Sequence, residues 1–300
     1  MVAGDGTATD EAYPQTRKFD GGFTVLMSVY RGSDAELFER AVESVYLNSV
    51  LPDDFVLVVD GPISPALERV IHRCTNARAI RTVRLPENVG LANALNHGLH
   101  LVRTAWVVRA DADDLNMPHR FERQAEAIQR TPSQVDLIGG AIVEVDKTGA
   151  ALAVRDVPLA HEAIVGRLQT RNPFNHMTVA FRTASVLEAG GYPNIVLKED
   201  YGLWATMIAR GARCANLGDV LVTATTGRDM YRRRGGFRHA RSEWDLQVHL
   251  YRLGHKNFAA AVAHGLARAA VSLLPAIVRT WLYEHYLRHR PSVTNHRLPL

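Results

Sequence analysis

The chain has 300 residues, 47% of them hydrophobic and 22% charged, a balance that excludes a disordered or low-complexity polymer and allows one substantial core. Two cysteines, Cys74 and Cys214, stand far apart without a metal-spaced partner, which excludes a disulfide framework and a zinc site and predicts reduced thiols. The net charge of +4 leaves nucleic acid, an anionic membrane surface and a phosphorylated small substrate as partner classes.

Residues 1–21 are polar, with no apolar run, and predict a disordered lead-in rather than a signal peptide. From Phe23 short apolar runs alternate with helical periodicity, as in a parallel sheet with crossover helices. Phe23 to Val29 reads as a first strand, and Asp34 to Leu47 as a helix capped by Ser33 or Asp34. Phe55 to Val59 is a second strand, stopped by the turn signal Asp60-Gly61-Pro62. Then come a helix from Pro65 to Cys74, a strand from Ile80 to Leu85, a helix from Gly90 to Val102, and a strand from Trp106 to Arg109 that runs into Asp111. Three such units predict a doubly wound α/β half-domain, in which ligands sit at the carboxyl ends of the strands. Beyond it, helices are predicted over 118–130 and 200–209, and strands over 135–145, 179–181 and 220–224. The segment from Phe258 to Arg290 mixes apolar residues with arginines and is split by Pro275, which predicts two amphipathic helices. They suit a membrane surface, the protein's own core or a dimer partner. No stretch reaches the roughly 20 apolar residues of a membrane span.

The chemistry gathers at strand ends. Asp111, Asp113 and Asp114 lie within four residues after a buried strand and would repel one another unless a positive partner neutralised them. Mg2+ or Mn2+, which take one or two carboxylates together with phosphate oxygens and water, suit that place. Asp60 lies on the same rim, where it can accept hydrogen bonds from a base or ribose, and Tyr30, just past the first strand, can stack on a base.

The ordered series Ser28-Val29-Tyr30, Asp60-Gly61-Pro62, Asn88-Val89-Gly90-Leu91 with Ala94-Leu95-Asn96, and Arg109-Ala110-Asp111-Ala112-Asp113-Asp114 resembles the nucleotide-binding half of family 2 glycosyltransferases. Asn172-Pro173-Phe174-Asn175-His176, Gly190-Gly191-Tyr192, Lys198-Glu199-Asp200-Tyr201-Gly202-Leu203-Trp204 and Met230 to Gly236 resemble that family's acceptor half. The resemblance implies an α/β GT-A fold, a Rossmann-like, mostly parallel sheet flanked by helices. It implies a catalytic domain over 22–240, divided into halves at 115/116, and a helical extension over 241–300. The implied activity is inverting transfer from a nucleoside-diphosphate sugar, UDP favoured over GDP or dTDP, to a glycan or lipid-linked acceptor in bacterial polysaccharide or cell-surface glycan synthesis. The implied place is the cytoplasm, peripheral on the inner face of the membrane.

By the same resemblance Asp113 holds Mn2+ or Mg2+ and Asp111 shares the metal's shell or meets the ribose. Ser28, Val29, Tyr30, Asp60, Asn88, Gly90, Arg109 and Ala112 surround the donor, and an arginine among Arg232, Arg233 and Arg234 faces its diphosphate. Glu199 and Asp200 form the catalytic pair with Asp200 as general base, while His176, Tyr201 and Trp204 lie on the acceptor side. The chain departs from the family pattern at Val59, where many members have a second acid before Asp60, and at Leu95, where many have an arginine. A sugar nucleotidyltransferase fits less well, because Tyr30-Arg31-Gly32-Ser33 is too short to wrap a triphosphate. A non-catalytic basic binding protein is disfavoured by the lack of aromatic residues interleaved with the arginines, so nucleic acid is not expected as a partner. The oligomeric state, a dimer included, is left open.

Overall fold

The computed structural model describes residues 19–130, 135–146, 148–225 and 235–274. Its elements in chain order are β1 (Phe23–Tyr30), α1 (Ala35–Tyr46), β2 (Asp54–Asp60), α2 (Pro65–Ala77), β3 (Arg81–Leu85), α3 (Leu91–Leu99), β4 (Trp106–Arg109), β5 (Asp114–Asn116) and α4 (Arg120–Arg130). There follow β6 (Leu137–Val145), β7 (Ala151–Arg155), α5 (His161–Leu168), a 3-10 turn (His176–Thr178), β8 (Ala180–Arg182), α6 (Thr183–Glu188), α7 (Glu199–Ala209), β9 (Cys214–Thr225), α8 (Phe237–Arg252) and α9 (Phe258–Leu273).

One sheet carries the order β3-β2-β1-β4-β8-β6-β9-β5, with β7 attached to β6. The strands β3, β2, β1 and β4 are mutually parallel, the predicted half. The rest is mixed: β8 runs antiparallel to β4 and β6, and β7 antiparallel to β6, while β6 and β9 are parallel. Antiparallel neighbours need no crossover helix, and none separates β6 from β7.

Successive residues of a strand point to opposite faces, and β1 is apolar on both because helices cover both. Val25, Met27 and Val29 pack with Phe38, Val42, Leu67 and Phe121 of α1, α2 and α4. Leu26, Val56 and Val58 pack on the other face with Leu95 and Leu99 of α3, Trp204 of α7 and Leu246 and Leu250 of α8. The first helix is capped as predicted, the Asp34 carboxylate accepting from the Glu36 and Leu37 amides.

Three expected boundaries differ. Phe19 is buried against Phe23 and Trp106, so the end of the lead-in belongs to the core, whereas residues 1–18 lie outside the described residues. The 115/116 division falls inside β5, and 240/241 falls inside α8. The last of these has a packing cause. On its inner side α8 is part of the main core, and it is wired to α7 by His249, 3.0 Å from Thr206 Oγ1 and 3.2 Å from the Gly202 carbonyl. Just past α8, His255 stands 2.8 Å from the Ala205 carbonyl. The last described helix ends before Pro275, and Leu274 is extended, as the residue before a proline is driven to be. No described helix is long and apolar enough to cross a membrane.

Candidate active site

Parallel register aligns the carboxyl ends of the first strands, so that Tyr30, Asp60 and Leu85 stand side by side on one rim. Tyr30 is half exposed, with its ring over Gly32, and presents a face to solvent. Val29 is fully buried in the core, so it can meet a ligand only through its backbone, whereas Ser28 is partly exposed. Asp60 is also buried, and its carboxylate is already engaged: Oδ1 accepts from the Val89 amide at 2.7 Å, and Oδ2 from the Gly90 amide at 3.1 Å and Asn88 Nδ2 at 2.9 Å. In this structure its charge serves to hold the Asn88–Gly90 loop over the rim. Gly61, at φ +80°, permits that approach, since a Cβ there would stand 2.5 Å from the Asn88 amide nitrogen.

The acidic tetrad leaves β4 along the same edge. Its positive partner is internal, which the sequence argument did not foresee. Arg109 is almost fully buried, and its Nη2 lies 2.5 Å from Asp111 Oδ1 while Nη1 donates to the carbonyls of Leu26 and Ala110. The Arg109 guanidinium thus lies beneath the tetrad and is engaged by Asp111 and two carbonyls. Arg120, fully buried in α4, donates to the Arg109 carbonyl at 2.8 Å and to Asn116, and burial together with the Arg109 charge pushes its pKa down to about 9. Asp114 is buried in β5 opposite Ala224, and burial, then the charges of Asp111 and Asp113, raise its pKa well above the carboxylate range. Asp113 alone of the three is exposed. Crowding by protein, then the Asp111 charge, raise its pKa. Ala112 packs on the core and carries only backbone to the site.

A divalent cation fits this set in a limited way. Three carboxylates facing two guanidiniums leave one negative charge when all are ionised, and Asp113 is accessible. No described cluster of three or more acidic, histidine or cysteine side chains stands ready to hold a metal by itself. The residues therefore suit Mg2+ or Mn2+ whose remaining ligands are phosphate oxygens and water.

Across the site, α7 begins with Glu199 and Asp200. Asp200 Oδ2 accepts from Asn172 Nδ2 at 2.6 Å and Oδ1 from the Tyr201 amide at 2.7 Å, which leaves lone pairs on both oxygens. Burial, then the neighbouring Asp200 charge, push Glu199 up to about 7. His176 lies between the two acidic groups. Its Nε2 is 3.0 Å from the Tyr192 hydroxyl, and burial and the Arg109 charge lower its pKa, against the charges of Asp111 and Asp200. The Tyr192 hydroxyl is acted on by Arg109, Asp200, Asp111 and Glu199, so the tetrad and the acid pair converge on one place.

Trp204 and Tyr201, expected on the acceptor side, are both enclosed. Trp204 is fully buried with Phe174, His176, Phe181 and Tyr192 around it, and Tyr201 donates its hydroxyl to the Leu168 carbonyl. They support the site from behind. Arg232, Arg233 and Arg234 lie outside the described residues. Residues without an assigned role turn out to build the site. Asn96 accepts from the Tyr192 amide at 2.8 Å and donates to its carbonyl at 2.9 Å, stapling the Gly190-Gly191-Tyr192 turn to α3. Asn172 and Asn96 stand inside the motifs that carried the resemblance, whereas Arg120 and Asn116 have no local signal.

The Glycosyl transferase family 2 profile matches residues 24–190, and the chain belongs to that family. It is a glycosyltransferase with the GT-A fold. It is 37% identical over 262 residues, 87% of this chain and 98% of the relative, to the amylovoran biosynthesis glycosyltransferase AmsE of Erwinia amylovora. It is 32% identical over 267 residues, 89% of this chain and 96% of the relative, to the UDP-Gal:alpha-D-GlcNAc-diphosphoundecaprenol beta-1,3-galactosyltransferase of Escherichia coli. In fold it matches the mannosyltransferase PcManGT from Pyrobaculum calidifontis, solved with GDP-Man and Mn2+, at a TM-score of 0.59 and 20% identity over 88% of this chain and 81% of that one.

Proposed function

We propose that the chain is an inverting, divalent-metal-dependent glycosyltransferase that moves a sugar from a nucleoside-diphosphate donor to a hydroxyl of a glycan or lipid-linked acceptor in bacterial polysaccharide or cell-surface glycan synthesis. The observation that carries this reading is that the charges of Asp111 and Asp200 both bear on His176 and on Tyr192, whose ring nitrogen and hydroxyl lie 3.0 Å apart. A donor-phosphate end and a proton acceptor thereby face each other across one site. Asp200 takes the proton of the acceptor hydroxyl as its oxygen bonds to the anomeric carbon. The bond from that carbon to the diphosphate breaks, and its electron pair leaves with the diphosphate. Asp113 and Asp111 would hold Mn2+ or Mg2+, which when bound offsets the charge growing on the leaving diphosphate. Tyr30 offers a stacking face for the base, and backbone at Ser28, Val29, Asn88, Gly90 and Ala112 frames the donor. An arginine among Arg232, Arg233 and Arg234 is assigned to the diphosphate, and His176, kept neutral, to the acceptor.

The Escherichia coli relative supports a UDP-sugar donor, with GDP- and dTDP-sugars as the alternatives, and a diphospholipid-linked acceptor, and the Erwinia amylovora relative supports a place in polysaccharide synthesis. Peripheral contact with the inner face of a membrane is supported by the outward side of the last two described helices. There Trp244, Tyr251, Phe258, Leu266 and Leu273 are exposed, with Arg241 and Arg252 beside them.

The test is a panel of UDP-, GDP- and dTDP-sugars with Mn2+, with Mg2+ and with chelator, reading nucleoside diphosphate release. Turnover is expected with one nucleotide class and only with metal, and Asp113→Ala should lower it about a hundredfold or more. Release of pyrophosphate would instead identify a nucleotidyltransferase, and metal-independent turnover would remove the metal from the reading.

A further inference from the structure

Behind the acid pair lies a polar junction with no part in the chemistry described so far. Glu243, on the inner side of α8, is buried, yet it is a charged group facing the core. Its Oε1 lies 2.7 Å from Lys198 Nζ, and Lys198 is the residue directly before Glu199. Its Oε2 lies 3.7 Å from Arg268 Nη1 on α9. Arg268 in turn donates to the carbonyl of Thr170, two residues before Asn172, the partner of Asp200. The neighbouring Ser242 donates to the Val196 carbonyl. Between Val196 and Lys198 stands Leu197 at φ +65°, the one described non-glycine residue in the left-handed region. Such a backbone persists only where its surroundings hold it.

We infer that Glu243 is a positioning residue for the transfer reaction: it draws the Lys198 ammonium away from Glu199-Asp200 and, through Arg268, braces the loop that carries Asn172. The inference rests on the acid-pair assignment proposed above. The reasoning is electrostatic. A lysine adjacent to two carboxylates turns toward them unless a better partner is supplied, and a buried carboxylate with only one other cation, 3.7 Å away, is a better partner. Were Lys198 to pair with the acids, it would occupy the lone pairs that accept the proton. The described groups whose charge bears on the pair or on its neighbours are Lys198 beside it, Asp111 from the tetrad and Arg109 beneath it, and His176 and Tyr192 from two separate turns, while Glu243 and Arg268 bear on Tyr201, the residue after Asp200. Among the described residues, Lys198 is the cation whose charge acts on Glu199.

The test compares Glu243→Gln, Lys198→Gln and the double variant in the full chain. It uses the nucleotide sugar of the panel above that the wild type turns over fastest, with Mn2+, and reads kcat, donor KM, the pH profile of kcat and Tm. Glu243→Gln keeps the shape of the side chain. It should lower kcat about tenfold or more with donor KM nearly unchanged, and move the acidic limb of the profile down by about half a pH unit, because the freed ammonium favours the ionised acids. Adding Lys198→Gln to that variant should restore most of kcat, which a merely structural role would not allow. Wild-type kcat and profile in Glu243→Gln would overturn the inference, as would a double variant no better than Glu243→Gln. Asp200→Asn, run alongside, separates this from the reading beneath it. Transfer at the wild-type rate by Asp200→Asn would sink the base assignment and the inference with it, whereas an inactive Asp200→Asn beside a normal Glu243→Gln would sink the inference alone.

Discussion

Glu199 and Asp200 are neighbours in sequence with different surroundings. Asp200 is held by Asn172 and the Tyr201 amide, while Glu199, facing burial and the Asp200 charge, is pushed from an ordinary 4.5 up to about 7. A carboxyl whose folded pKa is raised takes up a proton on folding. Its stabilising contribution is present below about pH 4.5 and is lost as pH rises through 7. Glu199→Gln, which cannot ionise, should therefore match the wild type near pH 4.5 and exceed it near pH 8 by about 1–2 kcal/mol, a figure reduced for partial exposure. Thermal unfolding at the two pH values checks this, and an equal Tm difference at both would contradict it. The pair itself is legible in the sequence through its motif. Its unequal division of labour is not, since that depends on Asn172, 28 residues away, and on burial.

At the scale of elements, the site is made by short segments pinned to the ends of regular ones. The Asn88–Gly90 loop is pinned by Asp60, and the Gly190–Tyr192 turn by Asn96. Gly191 sits at φ +73°, and a Cβ there would collide with Asn96 Oδ1. Gly190, at φ +88°, has open space around it. Gly191→Ala should thus cost about 2–3 kcal/mol, the sum of backbone strain and a displaced hydrogen bond, against about 1 kcal/mol for Gly190→Ala. Chemical denaturation of both variants measures the difference, and equal losses would show that the turn gives way without harm to Asn96. The regular elements follow from periodicity, and the strands, helices and Asp34 cap of the first 110 residues form close to where their patterns put them. The short β5, β7, α5 and α6 were not read, because three to eight residues carry too little period to stand out from loops.

For the whole molecule, the last two described helices have two different sides. The inner side holds Leu246, Leu250 and Glu243 against the catalytic core, and the outer side of α9 leaves Phe258, Leu266 and Leu273 in solvent. Removing everything after Lys256 would take Arg268 from Glu243, so a change confined to the outer side is the cleaner test of membrane contact. Leu266→Asp should reduce co-sedimentation with vesicles containing anionic phospholipid and leave Tm and nucleoside diphosphate release unchanged. Undiminished co-sedimentation would assign the outer side to another role. By itself the sequence determined the α/β class, the family and the two acidic groups, because local periodicity and an ordered series of motifs survive without coordinates. Only the tertiary structure decided that Arg109 turns inward under the tetrad, that Asp60 spends its carboxylate on a loop, and that Glu243 stands behind Lys198. Each is a meeting of groups 2 to 83 residues apart whose side-chain direction is fixed by burial and by competition among charges, neither of which is encoded in spacing along the chain.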